Sequence, residues 1–203
     1  AAALAGDAKI CAVDPLTQPA ETDSKVAGNG TREEFYANVR QYAKEVEFFE
    51  MFSQELARQW DRPLRLLWID GDHTFKGAQS DFQDFSGYLQ EGAIIAFHDV
   101  LHRFTGPLRV FATEVLPDKR FGACGLVGSI GWAQFIGAKP NRYLREKERL
   151  QAKLAGLLPY LGQQKMSGWD KLQFKLKRSF VPHALMTAEA WIKSNNPSQT
   201  GNP

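Results

Sequence analysis

Short apolar segments alternate with amphipathic segments over residues 8–137, and this alternation limits the fold more than any other feature. Apolar runs predict strands at 8–14, 46–52, 64–70 and 93–100. Helical spacing and capping residues predict helices at 31–45, 53–60, 76–90 and 107–116. Two β-like runs joined by glycines predict a closing hairpin at 121–137. The pattern indicates a doubly wound α/β fold, with a parallel sheet covered by helices on both faces.

Acidic residues and histidines follow several of the predicted strands directly. These strand ends carry Asp14; Asp70, Asp72 and His73; and His98 with Asp99. In open α/β sheets, ligands bind outside the carboxyl ends of the strands. We therefore expect these side chains to collect on one rim of the sheet and to form the functional site.

The charged residues divide the chain into an acidic part and a basic part. Residues 1–138 hold 13 Lys and Arg against 19 Asp and Glu, whereas residues 139–203 hold 12 against 4. We expect an α/β domain over 1–138, a basic helical extension over 139–193 and a disordered tail over 194–203. The basic stretch 142–180 has three possible roles. It could dock on the domain or on a second subunit of a homo-oligomer, contact a membrane surface, or contact an acidic partner. No nucleic-acid recognition motif accompanies the charge, so nucleic-acid binding is not expected.

No sequence signal directs the chain into or across a membrane. No apolar run approaches the roughly 18 residues that a membrane-spanning helix needs, and the start lacks the charged-then-apolar order of a signal peptide. Cys11 and Cys124 have neither CxxC nor Cys/His spacing, which argues against a disulfide framework or a zinc site. We therefore expect a cytoplasmic protein whose cysteines are core residues.

Several motifs together resemble the class I S-adenosylmethionine-dependent methyltransferases. They are VDP at 13–15, WIDGDHTFKGAQSDF at 68–82, GAIIAFHDV at 92–100, and GPLRVF with FGACGLVGSIGWAQF at 106–111 and 121–135. The combination of IDGDH with a later FHD is more specific than either piece alone. The nearest branch contains O-methyltransferases of small molecules and sugars. The resemblance implies a Rossmann-like sheet, S-adenosylmethionine as cofactor, and a small-molecule or glycan hydroxyl as acceptor.

The resemblance also implies roles for individual cofactor-binding residues. Asp14 would accept hydrogen bonds from the ribose hydroxyls of the cofactor, for which a carboxylate suits because it only accepts. Phe52 would stack on the adenine ring, and Ser53 would contact a ring nitrogen. Asp70 would complete the cofactor-binding set.

Metal-dependent relatives imply a catalytic centre at the same rim. Asp70, His98 and Asp99 match the positions that hold magnesium in those relatives, where the ion lowers the pKa of a bound hydroxyl and orients it. His73, together with Asp70, would then form the catalytic pair. His73 is the candidate general base because imidazole accepts protons near neutral pH.

One family feature has no counterpart in this sequence. The glycine-rich loop that follows the first strand in the family is absent, since the chain begins AAALAGD and not with Met. We therefore expect an N-terminally incomplete methyltransferase-like domain, with a rearranged sheet as the alternative. The missing strand would lie at the centre of the sheet, so its absence predicts a divided core and two unpaired strand edges.

The same rim residues also have structural interpretations. Asp14 is typical of a strand-end turn. Asp70 and Asp72 are typical of the residues that cap a helix. His98 and Asp99 together suit a structural hydrogen-bonded pair.

Two further classes of function remain as alternatives to the methyltransferase. One is a catalytically inactive domain of the same fold that serves as a binding or scaffold module. The other is a dinucleotide-dependent oxidoreductase, which Asp14 alone would permit. His102 and His183 are interpreted as surface residues without a partner, and Trp132 as a wall of the substrate pocket.

Overall fold

The computed structural model describes residues 9–16, 31–42, 46–102, 104–161 and 166–182. Its strands are β1 (Ile10–Val13), β2 (Val46–Phe49), β3 (Leu64–Ile69), β4 (Leu89–Phe97), β5 (Phe121–Val127) and β6 (Ile130–Phe135). Its α-helices are α1 (Thr31–Val39), α2 (Ser53–Ala57), α3 (Phe75–Phe85), α4 (Thr105–Val110), α5 (Leu144–Ala155) and α6 (Gly168–Ser179). Short 3₁₀-helical turns occupy Arg40–Tyr42, Ser86–Tyr88 and Leu158–Tyr160, and a π-helical turn at Phe111–Val115 continues α4. The predicted alternation of strands and helices is confirmed.

The strands form two separate sheets. β1 and β2 pair in parallel, while the larger sheet has the order β3-β4-β6-β5. In the larger sheet β3 and β4 are parallel, and β6 is antiparallel to both of its neighbours. Within the described residues, β1 and β3 therefore each pair on one side only. The Rossmann-like α/β class is confirmed, and within the described residues β1 and β3 do not pair with each other.

The main core lies between the larger sheet and helices α3, α4 and α5. Ile95, Phe97, Phe111 and Phe121 are fully buried there. Leu66 and Trp68 point to the opposite face of β3, because side chains alternate along a strand, and they are 56% and 48% exposed. This face of β3 is therefore largely exposed in the described part of the chain.

A smaller apolar group connects the two sheets. Leu56, Trp60 and Phe85 are buried together, and we call them the bridging cluster. Val13 of β1 and Leu67 of β3 pack against the bridging cluster from either side. The two sheets are therefore held on one side by shared apolar contacts, without strand pairing between β1 and β3.

The end of α3 and the start of β4 differ from the prediction. The helix was expected over 76–90 with Gly92 as its stop, but α3 ends at Phe85 and β4 already begins at Leu89. Leu89 is buried in the main core, so packing of this position draws it into the sheet. Gly92 lies inside β4 with φ of 86°, a conformation that glycine adopts without steric cost.

The hairpin and the first helix of the basic extension pack as one unit. β5 and β6 confirm the predicted hairpin, whose turn contains Gly128 with φ of 60°. Lys147 of α5 is buried, and its Nζ donates to the carbonyl oxygens of Asp118 and Phe121 at 2.5 Å each. Burial lowers the pKa of this ammonium. Leu154 enters the main core, so α5 stabilises the α/β domain directly.

Both cysteines are free thiols that pack against apolar groups, as expected. Cys11 packs against the bridging cluster, and Cys124 packs against the main core. Burial raises the pKa of the Cys124 thiol to about 11. The thiol is therefore protonated at neutral pH.

Some of the predictions fall on residues outside the described ranges. His183, the tail at 194–203 and the end of the helix expected at 31–45 are among them. Among the helices that are described, none has the length and apolar character needed to cross a membrane.

Candidate functional site

The carboxyl ends of β3 and β4 bring Asp70 and His98 together. The backbone N–H of His98 donates to the carbonyl of Ile69 at 2.9 Å, which extends the parallel pairing one residue past the end of β4. The Oδ1 atom of Asp70 then lies 3.0 Å from Nδ1 of His98. The ring of Trp68 lies 6.1 Å from the ring of His98 and forms the apolar side of this site. Strand pairing thus positions both side chains.

Asp99 joins the same group through an uncommon backbone conformation. Its φ is 55°, in the left-handed region that few residues other than glycine, Asn and Asp adopt. Its carboxylate is largely buried, with Oδ1 at 3.4 Å from Nδ1 of His98 and Oδ2 at 3.7 Å from Nε2 of His73. The sharp turn after β4 therefore directs the carboxylate back into the site.

His73 lies between the two carboxylates. Its Nε2 is 3.7 Å from Oδ1 of Asp70 and 3.7 Å from Oδ2 of Asp99. Its ring stacks on Phe104 at 4.5 Å, and its backbone carbonyl accepts a hydrogen bond from Gly106 at 3.1 Å. The ring is therefore fixed by α4 from one side and faces the acids on the other.

Four residues meet at this end of the sheet, as the strand-end pattern predicted. We call Asp70, His73, His98 and Asp99 the rim cluster. Three ring nitrogens of the rim cluster are buried and have no hydrogen-bond partner among the described residues. They are Nδ1 and Nε2 of His73 and Nδ1 of His98. Two carboxylates that converge on a small space repel each other unless a positive charge lies between them. A bound cation would relieve this repulsion in the rim cluster.

The rim cluster also has the spacing of a metal site. Ligand atoms of Asp70, His73 and His98 all lie within 4.8 Å of one another. The set combines imidazole nitrogen with carboxylate oxygen, a combination that suits Mn²⁺, Fe²⁺ or Zn²⁺, whereas magnesium prefers oxygen ligands alone. The donor set therefore fits a divalent transition metal better than the magnesium implied by the resemblance.

His102 is a neighbour of the rim cluster that the sequence analysis missed. Its Nδ1 lies 4.0 Å from Oδ2 of Asp99, and its ring lies 5.1 Å from that of Phe104. The interpretation of His102 as a surface residue is confirmed, since its side chain is about half exposed, but Asp99 is a partner that the sequence did not indicate. Its spacing of three residues from Asp99 was the available sequence signal.

Asp72 has a structural role in the loop before α3. Its two carboxylate oxygens accept from the backbone N–H of Thr74 at 2.8 Å and from the Thr74 hydroxyl at 2.9 Å. Thr74 in turn caps α3 by accepting from the N–H of Gly77. The N-cap of α3 is thus Thr74, which Asp72 holds in place, so neither acid is itself the cap, and Asp70 faces His98 instead.

Asp14 lies at the corresponding edge of the smaller sheet. Its N–H donates to the carbonyl of Phe49 at 3.1 Å and continues the pairing of β1 with β2. Its exposed carboxylate accepts from the N–H of Leu16 at 2.7 Å, as in a strand-end turn. Phe52 follows β2 and its ring is 52% exposed. An exposed acid and an exposed aromatic ring thus lie beyond the ends of two neighbouring parallel strands.

Ser53 makes a contact that the sequence did not predict. Its hydroxyl donates to Oδ1 of Asp81 at 2.6 Å, so it is already used within the protein. Burial raises the pKa of the Asp81 carboxyl, and the hydrogen bond from Ser53 opposes that rise. Asp81 also lies under the loop after β3, because a Cβ at Gly71 would be 3.1 Å from its Oδ2. Only the packing of α2 on α3 reveals this carboxylate.

Comparison with known families finds a similarity over the first 100 residues. Residues 1–100 match the family model of a methyltransferase domain. This part of the chain is similar to methyltransferase domains. The matched residues include Asp14, Phe52 and the complete rim cluster. The matched part of the chain thus holds all of the candidate residues for cofactor binding and catalysis.

Proposed function

We propose that this chain transfers a methyl group from S-adenosylmethionine to a hydroxyl group of a small molecule or sugar. The observation that carries the proposal is the position of His73, whose Nε2 lies 3.7 Å from each of two carboxylates at the carboxyl ends of the strands. A hydroxyl acceptor must lose a proton when its oxygen is methylated. A buried imidazole with no hydrogen-bond partner among the described residues suits that task.

His73 acts as the general base in this proposal. When bound, S-adenosylmethionine supplies an electrophilic methyl carbon, whose bond to sulfur breaks as the bond to the acceptor oxygen forms. Nε2 of His73 takes the hydroxyl proton, and the resulting imidazolium is stabilised by Asp70 and Asp99. Stacking on Phe104 holds the ring in place, so part of the rate comes from positioning.

Asp14, Phe52 and Asp70 would hold the cofactor. The exposed Asp14 carboxylate retains acceptor capacity besides its bond to Leu16, which suits the ribose hydroxyls. The exposed ring of Phe52 offers a stacking surface for adenine. The hydroxyl of Ser53 donates to Asp81, so the proposed contact of Ser53 with an adenine ring nitrogen falls to its backbone N–H.

Asp70, His98 and Asp99 would hold a divalent cation, which would lower the pKa of the acceptor hydroxyl. Their mixed nitrogen and oxygen donors favour a transition metal over magnesium. His73 lies in the same group of ligand atoms. A ring nitrogen that binds a metal has no lone pair left for a proton, so Nε2 of His73 has one of these roles and not both.

The first experiment measures cofactor binding and methyl transfer. S-adenosylhomocysteine is titrated calorimetrically into the chain and into a version with whatever sequence its gene encodes upstream. Labelled S-adenosylmethionine is then supplied with a panel of sugars and phenols. We expect binding and labelled O-methyl product. Absence of binding by both versions would contradict the proposed function.

His73→Ala tests the base, with His183→Ala as the matched control from the C-terminal segment. We expect His73→Ala to lower kcat by about 10²-fold or more, and added imidazole to restore part of it. Affinity for S-adenosylhomocysteine should stay within about threefold, since the base acts on the acceptor. Unchanged kcat in His73→Ala would exclude a base at this position. Titration of Mn²⁺, Zn²⁺ and Mg²⁺ into Asp70→Asn and His73→Ala shows separately whether His73 is a ligand.

A further inference from the structure

Helix α6 carries a row of large apolar side chains that face solvent. Trp169, Leu172, Leu176 and Phe180 are 66%, 55%, 57% and 64% exposed, and we call them the α6 stripe. Their spacing of three and four residues places them along one side of a helix with 3.6 residues per turn. Four adjacent exposed residues of this size form a continuous apolar surface, which usually marks an interaction site.

Contacts of other α6 residues attach the helix to the rest of the protein. Gln173 accepts a hydrogen bond from the hydroxyl of Tyr160 at 2.7 Å, and Phe174 packs against the main core. Val181, just after the helix, is buried in the same core. The helix is thus attached to the protein by a different side from the one that carries the stripe.

Basic side chains flank the stripe on both sides. Lys171, Lys175 and Arg178 are exposed along one flank. On the other flank, Lys177 lies over the ring of Tyr160 at 4.8 Å, and Nζ of Lys153 lies 5.8 Å from the ring centre of Phe180. These cations surround the apolar surface without covering it.

Acidic side chains near the stripe are few. Asp170 is the acid of α6, and its carboxylate accepts from the Ser167 hydroxyl at 2.7 Å beside the helix N-terminus. It therefore serves the cap and does not neutralise the lysines further along. An apolar groove on another protein would bury the stripe but would leave the flanking lysines and arginine without counterions.

We propose that α6 lies on an anionic lipid surface. Trp169, Leu172, Leu176 and Phe180 would enter the boundary between headgroups and acyl chains, while the flanking lysines and Arg178 contact lipid phosphates. Amphipathic helices with aromatic and Leu residues on one face and basic residues on the other bind membranes in this orientation. The proposal stands independently of the proposed methyl transfer.

Cosedimentation with vesicles tests this docking surface. The chain is mixed with phosphatidylcholine vesicles that either contain or lack phosphatidylglycerol. We expect binding to the anionic vesicles at least about tenfold stronger than to the neutral ones, since headgroup charge adds to apolar insertion. Equal binding to both, or binding to neither, would overturn the proposal.

Paired variants separate the apolar and the charged contributions. Leu172→Ser with Leu176→Ser should weaken binding to anionic vesicles by about tenfold or more, whereas Leu144→Ser, at another exposed leucine, should stay within about twofold. Lys171→Glu with Lys175→Glu should remove the preference for anionic lipid. The matched control is Lys76→Glu with Lys119→Glu, two exposed lysines elsewhere, which should retain that preference.

Light scattering after size exclusion tests a second copy of the chain as the occupant. We expect the same mass for the unmodified chain and for the Leu172→Ser, Leu176→Ser variant. A dimer that this variant dissociates would assign the stripe to self-association and would overturn the lipid proposal. Circular dichroism melts confirm that the variants are folded, which is expected because the substituted side chains are exposed.

Discussion

Asp81 is a largely buried carboxylate whose stabilising partner is a single hydroxyl. Ser53 donates to Oδ1 at 2.6 Å, yet burial is the larger effect and the pKa of the carboxyl is raised. Because the pKa in the folded state exceeds that in the unfolded state, the folded protein favours the protonated acid. This contribution to stability is complete below the unfolded pKa and is lost as the pH rises through the folded pKa.

We predict that Asp81→Asn increases the free energy of unfolding at neutral pH relative to the unmodified protein. The amide cannot ionise, so the cost of burying a charge disappears while the shape is kept. The difference should shrink as the pH falls below the unfolded pKa of Asp. Urea denaturation over a pH series measures this difference, with Asp61→Asn, at an exposed carboxylate outside α3, as the control. If the two proteins differed in free energy of unfolding by the same amount at every pH, the assignment of a raised pKa to Asp81 would be contradicted.

At the scale of elements, the close contact between α4 and the loop after β3 holds the rim cluster together. Gly106 at the start of α4 donates to the carbonyl of His73 at 3.1 Å. A Cβ at Gly106 would lie 2.3 Å from the carbonyl oxygens of both His73 and Thr74. Only glycine allows α4 to approach this closely, so the helix position and the His73 position depend on each other.

We predict that Gly106→Ala lowers the free energy of unfolding by about 2 to 4 kcal/mol, since backbone must move to admit the methyl group. Gly87→Ala is the control, because a Cβ there meets nothing within 4 Å. Its effect should stay within about 1 kcal/mol. Urea titrations of both variants give the comparison, and similar values for the two would refute the close-contact argument.

At the scale of the whole molecule, the bridging cluster connects two sheets that share no strand pairing in the described residues. Trp60 is buried between Phe49 and Phe85, with ring centres at 6.3 Å and 6.0 Å, and its indole N–H donates to the carbonyl of Arg62 at 2.7 Å. The attachment of the β1–β2 sheet therefore depends on a few large side chains.

We predict that Trp60→Ala costs about 3 to 5 kcal/mol of stability and loosens β1 and β2 more than β3 and β4. Hydrogen exchange followed by mass spectrometry reports the two sheets separately. Trp169→Ala, at an exposed tryptophan, should leave both exchange patterns unchanged. Uniform loosening of all strands would show that the two sheets unfold as one unit.

Much of the site was predictable because residue order along a strand determines which residues reach its end. Asp70, His98 and Asp99 follow apolar strands that could only pair in parallel next to each other, so their meeting at one rim followed from the pattern. The start of β4 was not predictable, because Leu89 has no local signal for a strand and joins the sheet through burial. Asp81 likewise owes its position to a contact between distant segments, because its partner Ser53 lies in α2.

The sequence by itself determined the α/β class, the hairpin and the acidic and histidine-bearing strand ends, since hydrophobic periodicity and strand order are local properties. Tertiary structure alone decided that Asp72 binds Thr74, the N-cap of α3, while Asp70 faces His98, and that His73 lies between two carboxylates. It also decided that α6 turns its apolar stripe toward solvent. The physical reason is that periodicity shows which residues share a face, whereas only packing decides what each face meets.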